Sequence, residues 1–171
     1  MRGGATPTGM MEGMDLSPSG LRRDLMSVAL DEARAATAHD DVPVGAVVAR
    51  AATGEVIARR HNERELCHDP TAHAEVLALR DAAAALGSWR LDGCVLVVTI
   101  EPCPMCAGAA VAARVPEVVF GAADPKAGAL GSLYHLGADP RLHHEIRVVG
   151  GVEEAAAARL LTEFFATRRV Q

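Results

Sequence analysis

The feature that most constrains the fold of this chain is the almost entirely apolar run "CVLVVTI" at Cys94–Ile100. The turn-forming residues "LDG" precede it and "EPCP" follows it, so the run has the length of a single strand. A strand without alternating polar residues has to be covered on both faces, and mixed or parallel sheets achieve this with helices. The run therefore predicts an α/β protein whose sheet lies between two layers of helices.

The rest of the chain supplies the elements that such a fold needs. Further strands are predicted at 42–50, 55–61, 117–122 and 145–151, the first two joined by the hairpin turn "AATG". Helices are predicted at about 18–38, 70–86, 104–113 and 152–168, from their apolar periodicity and from their capping residues. After the first helix, the order β-β-α-β-α-β-β-α predicts a mixed five-stranded sheet with helices on both faces.

Composition limits the size and the class of the protein. A chain of 171 residues that is 50% hydrophobic is long enough for one core, which we expect to span residues 21–171. Residues 1–20 are rich in Gly, Met, Pro, Ser and Thr, and we expect this extension to be disordered. The net charge of −5 excludes a broad basic surface, so contact with a nucleic acid would be local.

Cellular location follows from the apolar runs and the cysteines. No apolar run reaches the roughly 20 residues that a membrane-spanning helix requires. The N-terminus lacks the apolar segment of a signal peptide, and the spacing of the four cysteines does not indicate a disulfide framework. These features predict a cytoplasmic protein.

Two short motifs carry the residues of a metal site. "TAHAEV" at 71–76 places His73 at the start of a helix, and "EPCPMC" at 101–106 places Cys103 and Cys106 at the start of another. Catalytic zinc sites use three nitrogen or sulfur ligands and leave a fourth position open for water. Helix N-termini also stabilise thiolates. The sequence therefore predicts one Zn²⁺ ion held by His73, Cys103 and Cys106.

Glu75 gives this predicted metal site its chemistry. Two residues after His73, it points to a different side of the helix, so we expect it to lie beside the ion rather than to bind it. A carboxylate there can take a proton from the metal-bound water. Together the motifs match the signature H-x-E…P-C-x-x-C of zinc-dependent deaminases.

Each motif by itself has a simpler interpretation. A single C-x-x-C also occurs in redox proteins and in structural zinc sites. His73 alone could be an ordinary helix-capping or core histidine, and Glu75 a solvated carboxylate near a helix N-terminus. Cys67 lies in a loop and remains the one rival metal ligand, whereas Cys94 begins a buried strand.

The whole chain from about residue 21 onwards resembles the bacterial tRNA-specific adenosine deaminases of the cytidine deaminase superfamily. The motifs that carry the resemblance are "VPVGAV" (42–47), "HN" (61–62), "HDPTAHAE" (68–75), "EPCPMCAGA" (101–109), "VVFGAADPKAGALGS" (118–132) and "FFATRR" (164–169). The resemblance implies a three-layer α/β/α cytidine-deaminase-like fold and a homodimer. It also implies that zinc-bound hydroxide attacks C6 of adenosine at the wobble position of a tRNA, an arginine tRNA above all, with Glu75 as the proton shuttle.

The same resemblance implies the residues that bind the substrate. Asn62 would bind the target nucleoside, and Val44 and Ala74 would line its pocket. The tRNA anticodon loop would be contacted by four residues nearer the surface, namely Asp124, Lys126, Phe165 and Arg168. The sequence departs from the family at Glu63 and Glu65, in a loop where relatives often carry basic residues, and at "LHH" (142–144).

Two other functions fit parts of the pattern. A deaminase of a free base or nucleoside, such as a guanine or cytosine compound, would use the same metal site and would suit an acidic protein. A zinc-stabilised binding protein without catalytic activity would use the ligands but would have no need of Glu75. Loss of activity after removal of "FFATRR" would favour the RNA enzyme over the free-base enzyme.

Overall fold

The five predicted strands form one mixed sheet in the computed structural model, which describes residues 17–168. The strands are β1 Gly45–Arg50, β2 Val56–His61, β3 Cys94–Ile100, β4 Glu117–Ala122 and β5 Arg147–Val149. Their order across the sheet is β2-β1-β3-β4-β5. β1 is antiparallel to both β2 and β3, whereas β3, β4 and β5 run parallel. The apolar run that opened the sequence argument is the central strand.

Helices cover both faces of this sheet. They are α1 Pro18–Ala36, α2 Arg64–Cys67, α3 Ala74–Leu86, α4 Pro104–Ala112 and α5 Glu154–Arg168. One apolar core joins α3 and α4 to one face of the sheet, and a second joins α1 and α5 to the other. The predicted three-layer α/β/α architecture is confirmed. Within residues 17–168 no helix combines the length and the hydropathy needed to cross a bilayer.

Strand β3 explains why two cores form. Its consecutive side chains alternate between them: Leu96 and Val98 pack in the core with α3 and α4, and Val95 and Val97 pack in the core with α1 and α5. All four side chains are buried. Complete burial of a valine or leucine contributes about 1.5–3 kcal/mol. Both faces of β3 therefore hold helices, and its carboxyl end stays fixed where the chain turns into α4.

Helix α1 begins at Pro18, where it was predicted, and therefore inside the extension expected for residues 1–20. Ser17 caps α1 by accepting the N–H of Gly20 at 3.1 Å, and Pro18 occupies the first turn. These are favourable residues for an N-cap and a first helical position. Residues 18–20 thus belong to the domain rather than to the extension predicted for 1–20. Residues 1–16 lie outside the described part of the chain.

The segment between β2 and α3 differs most from the prediction. It contains the four-residue helix α2, and α3 begins at Ala74 rather than near Pro70. α2 is held by Asp41, whose buried carboxylate accepts the N–H groups of Glu65 and Leu66 at 3.1–3.3 Å. Asp41 lies 24 residues before Glu65, and a contact between residues so far apart leaves no periodic pattern in the local sequence. For this reason α2 could not be predicted.

Candidate active site

The candidate metal site lies where two helices begin beside the carboxyl end of β3. His73 is the residue that precedes α3, and Cys103 is the residue that precedes α4, both with extended backbone. Cys106 lies within the first turn of α4 and is completely buried. Extended capping residues direct their side chains away from the helix axis, so two helix N-termini present their ligands to one point. The structure brings together the three ligands that the sequence predicted.

The distances within this triad fit zinc. His73 Nδ1 lies 3.5 Å from Cys106 Sγ and 3.8 Å from Cys103 Sγ. A tetrahedral Zn²⁺ ion with Zn–S near 2.3 Å and Zn–N near 2.0 Å requires sulfur and nitrogen to be about 3.5 Å apart. Within residues 17–168, this triad is the one group of three or more side chains that could hold a metal ion. Its candidate ligand atoms all lie within 4.8 Å of one another.

The ionisation of the two thiols also suits a metal ligand pair. A hydrogen bond with Cys106 and the neighbouring His73 lower the pKa of Cys103 to about 4. The same bond with Cys103, together with burial, raises the pKa of Cys106. One sulfur is therefore a thiolate at neutral pH without any ion, and a bound cation would remove the proton from the other.

Glu75 lies beside the triad and is buried, with 3% of its surface exposed. Among the described residues, Glu75 Oε2 is the one buried side-chain oxygen or nitrogen atom without a hydrogen-bond partner. Burial raises the pKa of the carboxyl group above its ordinary value. A buried carboxyl oxygen without a partner is costly, and this oxygen lies beside the triad, where a bound ligand would supply the missing partner.

A cavity of about 610 Å³ opens in front of these residues. Its lining includes most of the residues predicted for the site: Val44, Asn62, His73, Glu75, Cys103, Asp124, Lys126 and Phe165. The volume falls in the range of small-molecule pockets, so it is large enough for a nucleobase with its ribose. The lining extends from His73, Glu75 and Cys103 to residues 122–127 and to α5.

Asn62 is fixed in the floor of the cavity. It is buried, and its Oδ1 accepts the N–H of Ala74 at 2.9 Å, while its own N–H donates to the carbonyl oxygen of Val44 at 3.1 Å. With Oδ1 occupied, the side-chain amide nitrogen is the group left to meet a ligand. Ala74 is completely buried and is not part of the cavity lining; its observed contact is the backbone bond to Asn62.

The acidic loop after Asn62 is less negative than its sequence suggests. Arg60 donates to both carboxylate oxygens of Glu63 at 2.7 Å, so this charge is paired and largely withdrawn from solvent. Arg64, by contrast, lines the cavity. The side of the loop that faces a ligand therefore carries an arginine, and Glu65 is the remaining exposed carboxylate.

The two residues predicted on α5 lie in different places. Phe165 is half-exposed and lines the cavity. Arg168 lines a neighbouring groove between α1 and α5, where its guanidinium group donates to the carbonyl oxygen of Asp40 at 2.6 Å and stacks on the ring of Phe164. The structure thus does not bring Arg168 to the cavity. Phe164 is partly buried beside that groove.

The other cysteines are separate from the metal-binding triad. Cys67 is exposed, with its sulfur 3.6 Å from a carboxylate oxygen of Glu63, and Cys94 is buried at the start of β3. Neither belongs to the triad, and all four cysteines are free. The rival assignment of Cys67 as a metal ligand therefore has no support in the geometry.

One residue of the site, Glu101, was not predicted from the sequence. It follows β3 directly, is 2% exposed, and accepts hydrogen bonds from the segment 124–132. Its position two residues before Cys103 was visible in "EPCPMC". Its partners lie 23 to 31 residues further along the chain, however, and nothing in the spacing indicates them.

Comparisons with known proteins agree with this geometry. Residues 22–169 match the MafB19-like deaminase family. The tRNA-specific adenosine deaminase of Bacillus subtilis strain 168 is 49% identical over 140 residues, which cover 82% of this chain and 86% of that protein. A solved structure from a study of A-to-I editing by tRNA:A34 deaminases is 44% identical, with a TM-score of 0.77, over 81% of this chain and 99% of that one.

A more distant solved structure is a guanine deaminase from Nitrosomonas europaea. It is 28% identical with a TM-score of 0.72, and the match covers 95% of this chain and 97% of that one. The fold is therefore shared with a guanine deaminase, and the tRNA-specific adenosine deaminase of Bacillus subtilis matches this chain at higher identity than that protein does. The resemblance inferred from the motifs is confirmed: this chain is an enzyme and belongs to the family of tRNA-specific adenosine deaminases.

Proposed function

We propose that this enzyme converts adenosine to inosine at the wobble position of a tRNA, with an arginine tRNA as its main substrate and one zinc ion per chain. The observation that carries the proposal is the position of the buried, unpartnered Oε2 of Glu75 in one cavity with a ligand set of zinc dimensions. The high identity to tRNA-specific adenosine deaminases supports tRNA rather than a free base as the substrate.

His73, Cys103 and Cys106 would hold the zinc ion, which when bound lowers the pKa of a coordinated water towards neutrality. Glu75 takes the proton from the attacking water and delivers it to the ring nitrogen next to C6 of adenine. It then carries the remaining proton of the new C6 hydroxyl group to the departing amino group while the bond from C6 to that nitrogen breaks, so that one water is consumed and one ammonia leaves. Burial raises the pKa of Glu75, which makes its carboxylate a better proton acceptor than an exposed one.

The cavity lining would select and hold the base. The amide nitrogen of Asn62 is free to donate to the target nucleoside, and Val44 supplies an apolar wall. Lys126 and Arg64 at the cavity can contact phosphates, which dominate the affinity of proteins for nucleic acids. Phe165 offers a ring on which a flanking base can stack.

The RNA would have to present its target base outside the anticodon stack. The cavity opens between a loop and a helix, so a base turned outward from a single-stranded loop can enter it, whereas a stacked base cannot. A cytoplasmic location follows from a tRNA substrate. The predicted homodimer is consistent with half-exposed apolar side chains on the surface, such as Leu133 and Tyr134.

The decisive experiment measures inosine in an arginine-tRNA anticodon stem-loop with adenosine at the wobble position. The same preparation is tested on an identical stem-loop with guanosine there, and on free adenosine, guanine and cytidine. We expect inosine only in the adenosine stem-loop, at a rate that rises with zinc content. Turnover of guanine with an inert stem-loop would reject the tRNA substrate and favour the activity of the Nitrosomonas europaea relative.

A further inference from the structure

Glu101 joins the metal-binding segment to the loop that borders the cavity. Its carboxylate accepts the N–H of Asp124 at 3.1 Å, the N–H of Leu130 at 3.0 Å and the N–H of Ser132 at 3.0 Å. The hydroxyl group of Ser132 donates a fourth hydrogen bond. The buried side chain of Glu101 therefore binds both ends of the segment 124–132, which is here called the rim loop. Glu101 lies two residues before Cys103.

Every group that meets the Glu101 carboxylate is a hydrogen-bond donor: three are backbone N–H groups and one is a hydroxyl group. Because these donors come from both ends of the rim loop, the four bonds give the loop one preferred position.

Gly128 makes room for this carboxylate. A methyl group on its Cα would overlap the carboxyl group of Glu101 and would come within 2.6 Å of the carbonyl oxygen of Asp124. No side chain fits at this position without displacing either Glu101 or the rim loop. The requirement is for space, since Gly128 has no positive φ.

Backbone hydrogen bonds also connect the rim loop and its neighbouring residues to the segment that carries Cys103. Ala129 donates to the carbonyl oxygen of Pro102 at 2.8 Å, and Glu101 itself donates to the carbonyl oxygen of Ala122 at 2.8 Å. Within the rim loop, the carboxylate of Asp124 accepts the N–H of Lys126 at 2.9 Å. These hydrogen bonds connect the rim loop, part of which lines the cavity, to the segment that carries Cys103.

We propose that Glu101 is a positioning residue that, with Gly128, fixes the rim loop relative to the metal-binding residues and thereby sets the affinity for RNA without touching the reacting base. The inference rests on the proposed function, because it assigns the rim loop to RNA binding. It predicts that loss of the Glu101 contacts weakens substrate binding while zinc binding and the chemical step are largely kept.

The test compares Glu101→Gln and Gly128→Ala, which disturb the same contact from opposite sides. Glu101→Gln keeps the shape but places an amide N–H₂ group against N–H donors, and Gly128→Ala inserts a methyl group. Ser132→Ala removes one bond only and is the mild variant. Gly93→Ala is the matched control, because a methyl group there meets nothing within 4 Å.

We expect hydrogen exchange at the amides of Asp124, Leu130 and Ser132 to accelerate in both strong variants, with zinc kept at one per chain. KM for the stem-loop should rise about tenfold or more, which corresponds to about 1.4 kcal/mol, and kcat should change much less. Ser132→Ala should move both quantities in the same direction by a smaller amount, and Gly93→Ala should match the wild type.

Unchanged exchange and KM in Glu101→Gln would overturn the inference. So would a fall in kcat and zinc content together, since that would make Glu101 a general structural residue. The exchange measurement needs no substrate. If the wild-type enzyme deaminated only free guanine, the proposed function would fail while the contact between Glu101 and the rim loop could still be tested.

Discussion

The triad of His73, Cys103 and Cys106 and the proposed RNA-facing rim are built in different ways, although they border the same cavity. The triad is formed by residues at the starts of α3 and α4, and its geometry follows from local capping. The rim consists of α2, the rim loop and the end of α5, which are held by side chains distant in sequence, such as Asp41 and Glu101. Chemistry and recognition are therefore separable, and substitutions should affect one without the other.

The largest effect should come from the triad itself. Cys103→Ser is expected to lose zinc and activity together and to lower the melting temperature, because ligand loss is coupled to folding in metal sites. Zinc content measured by mass spectrometry, with thermal unfolding, checks this. Cys67→Ser is the matched control, since Cys67 is exposed and outside the triad. A Cys103→Ser protein with full zinc content would show that the ligands are wrongly assigned.

Glu75→Gln should separate chemistry from metal binding. We expect kcat to fall by at least 10²–10⁴-fold, the usual contribution of a general acid–base group, while one zinc per chain is retained. Because burial disfavours the charged form of Glu75, the zinc-free variant should be at least as stable as the zinc-free wild type. Steady-state kinetics and urea unfolding measure the two effects, with the exposed Glu145→Gln as control. Retained turnover would remove Glu75 from the mechanism.

Asp41→Asn tests the rim, because Asp41 holds α2. The N–H groups of Glu65 and Leu66 and the ring of His39 hold the pKa of Asp41 below its ordinary value, against the opposing effect of burial. A carboxyl group whose pKa is lower in the folded state than in the unfolded state stabilises the protein fully at pH values above the unfolded-state pKa. This stabilisation is lost as the pH falls through the folded-state pKa. We expect the variant to lose about 1–3 kcal/mol at pH 7 and to keep its zinc.

The pH dependence provides the check on Asp41. The difference in free energy of unfolding between Asp41→Asn and the wild type should be constant between pH 7 and 5 and should shrink below about pH 4, near the unfolded-state pKa of an aspartate. Urea unfolding measures it, and Asp24→Asn, on the exposed side of α1, is the control. A difference that persists unchanged to pH 3 would mean that the charge of Asp41 is not what holds α2.

The two regions also differ in how far the sequence predicts them. His73, Cys103 and Glu75 could be assigned because their spacing and their helix-start positions carry the geometry of the site. α2 and the partners of Glu101 could not, because they depend on bonds that span 23 to 31 residues. Arg60 in β2, three residues before Glu63, pairs with the Glu63 carboxylate, and the spacing alone does not show this pairing, so the charge pattern of "ERELC" misrepresents the surface that a ligand meets. Local motifs determine chemistry, whereas recognition depends on tertiary contacts.

The smallest effect is expected at Arg168, where the resemblance and the geometry differ. The resemblance to the family implies that this residue contacts the anticodon loop, but in the free chain its guanidinium group is bonded to Asp40. The pair is largely exposed, and such pairs contribute at most about 1 kcal/mol. Arg168 can therefore leave Asp40 for a phosphate at little cost to stability, and Arg168→Ala should raise KM a few-fold with kcat and zinc unchanged.

Asp40→Asn makes this prediction sharper because its expected effect has the opposite sign. Asp40 has a φ of +65°, a conformation that asparagine tolerates, so the substitution removes the charge and keeps the turn. If Asp40 competes with RNA for Arg168, Asp40→Asn should lower KM slightly, and it should have no effect in the Arg168→Ala background. A double-mutant cycle measures this coupling. Additive effects would show that Arg168 acts on RNA independently of Asp40, or not at all, and would leave Phe165 as the residue of α5 that meets the substrate.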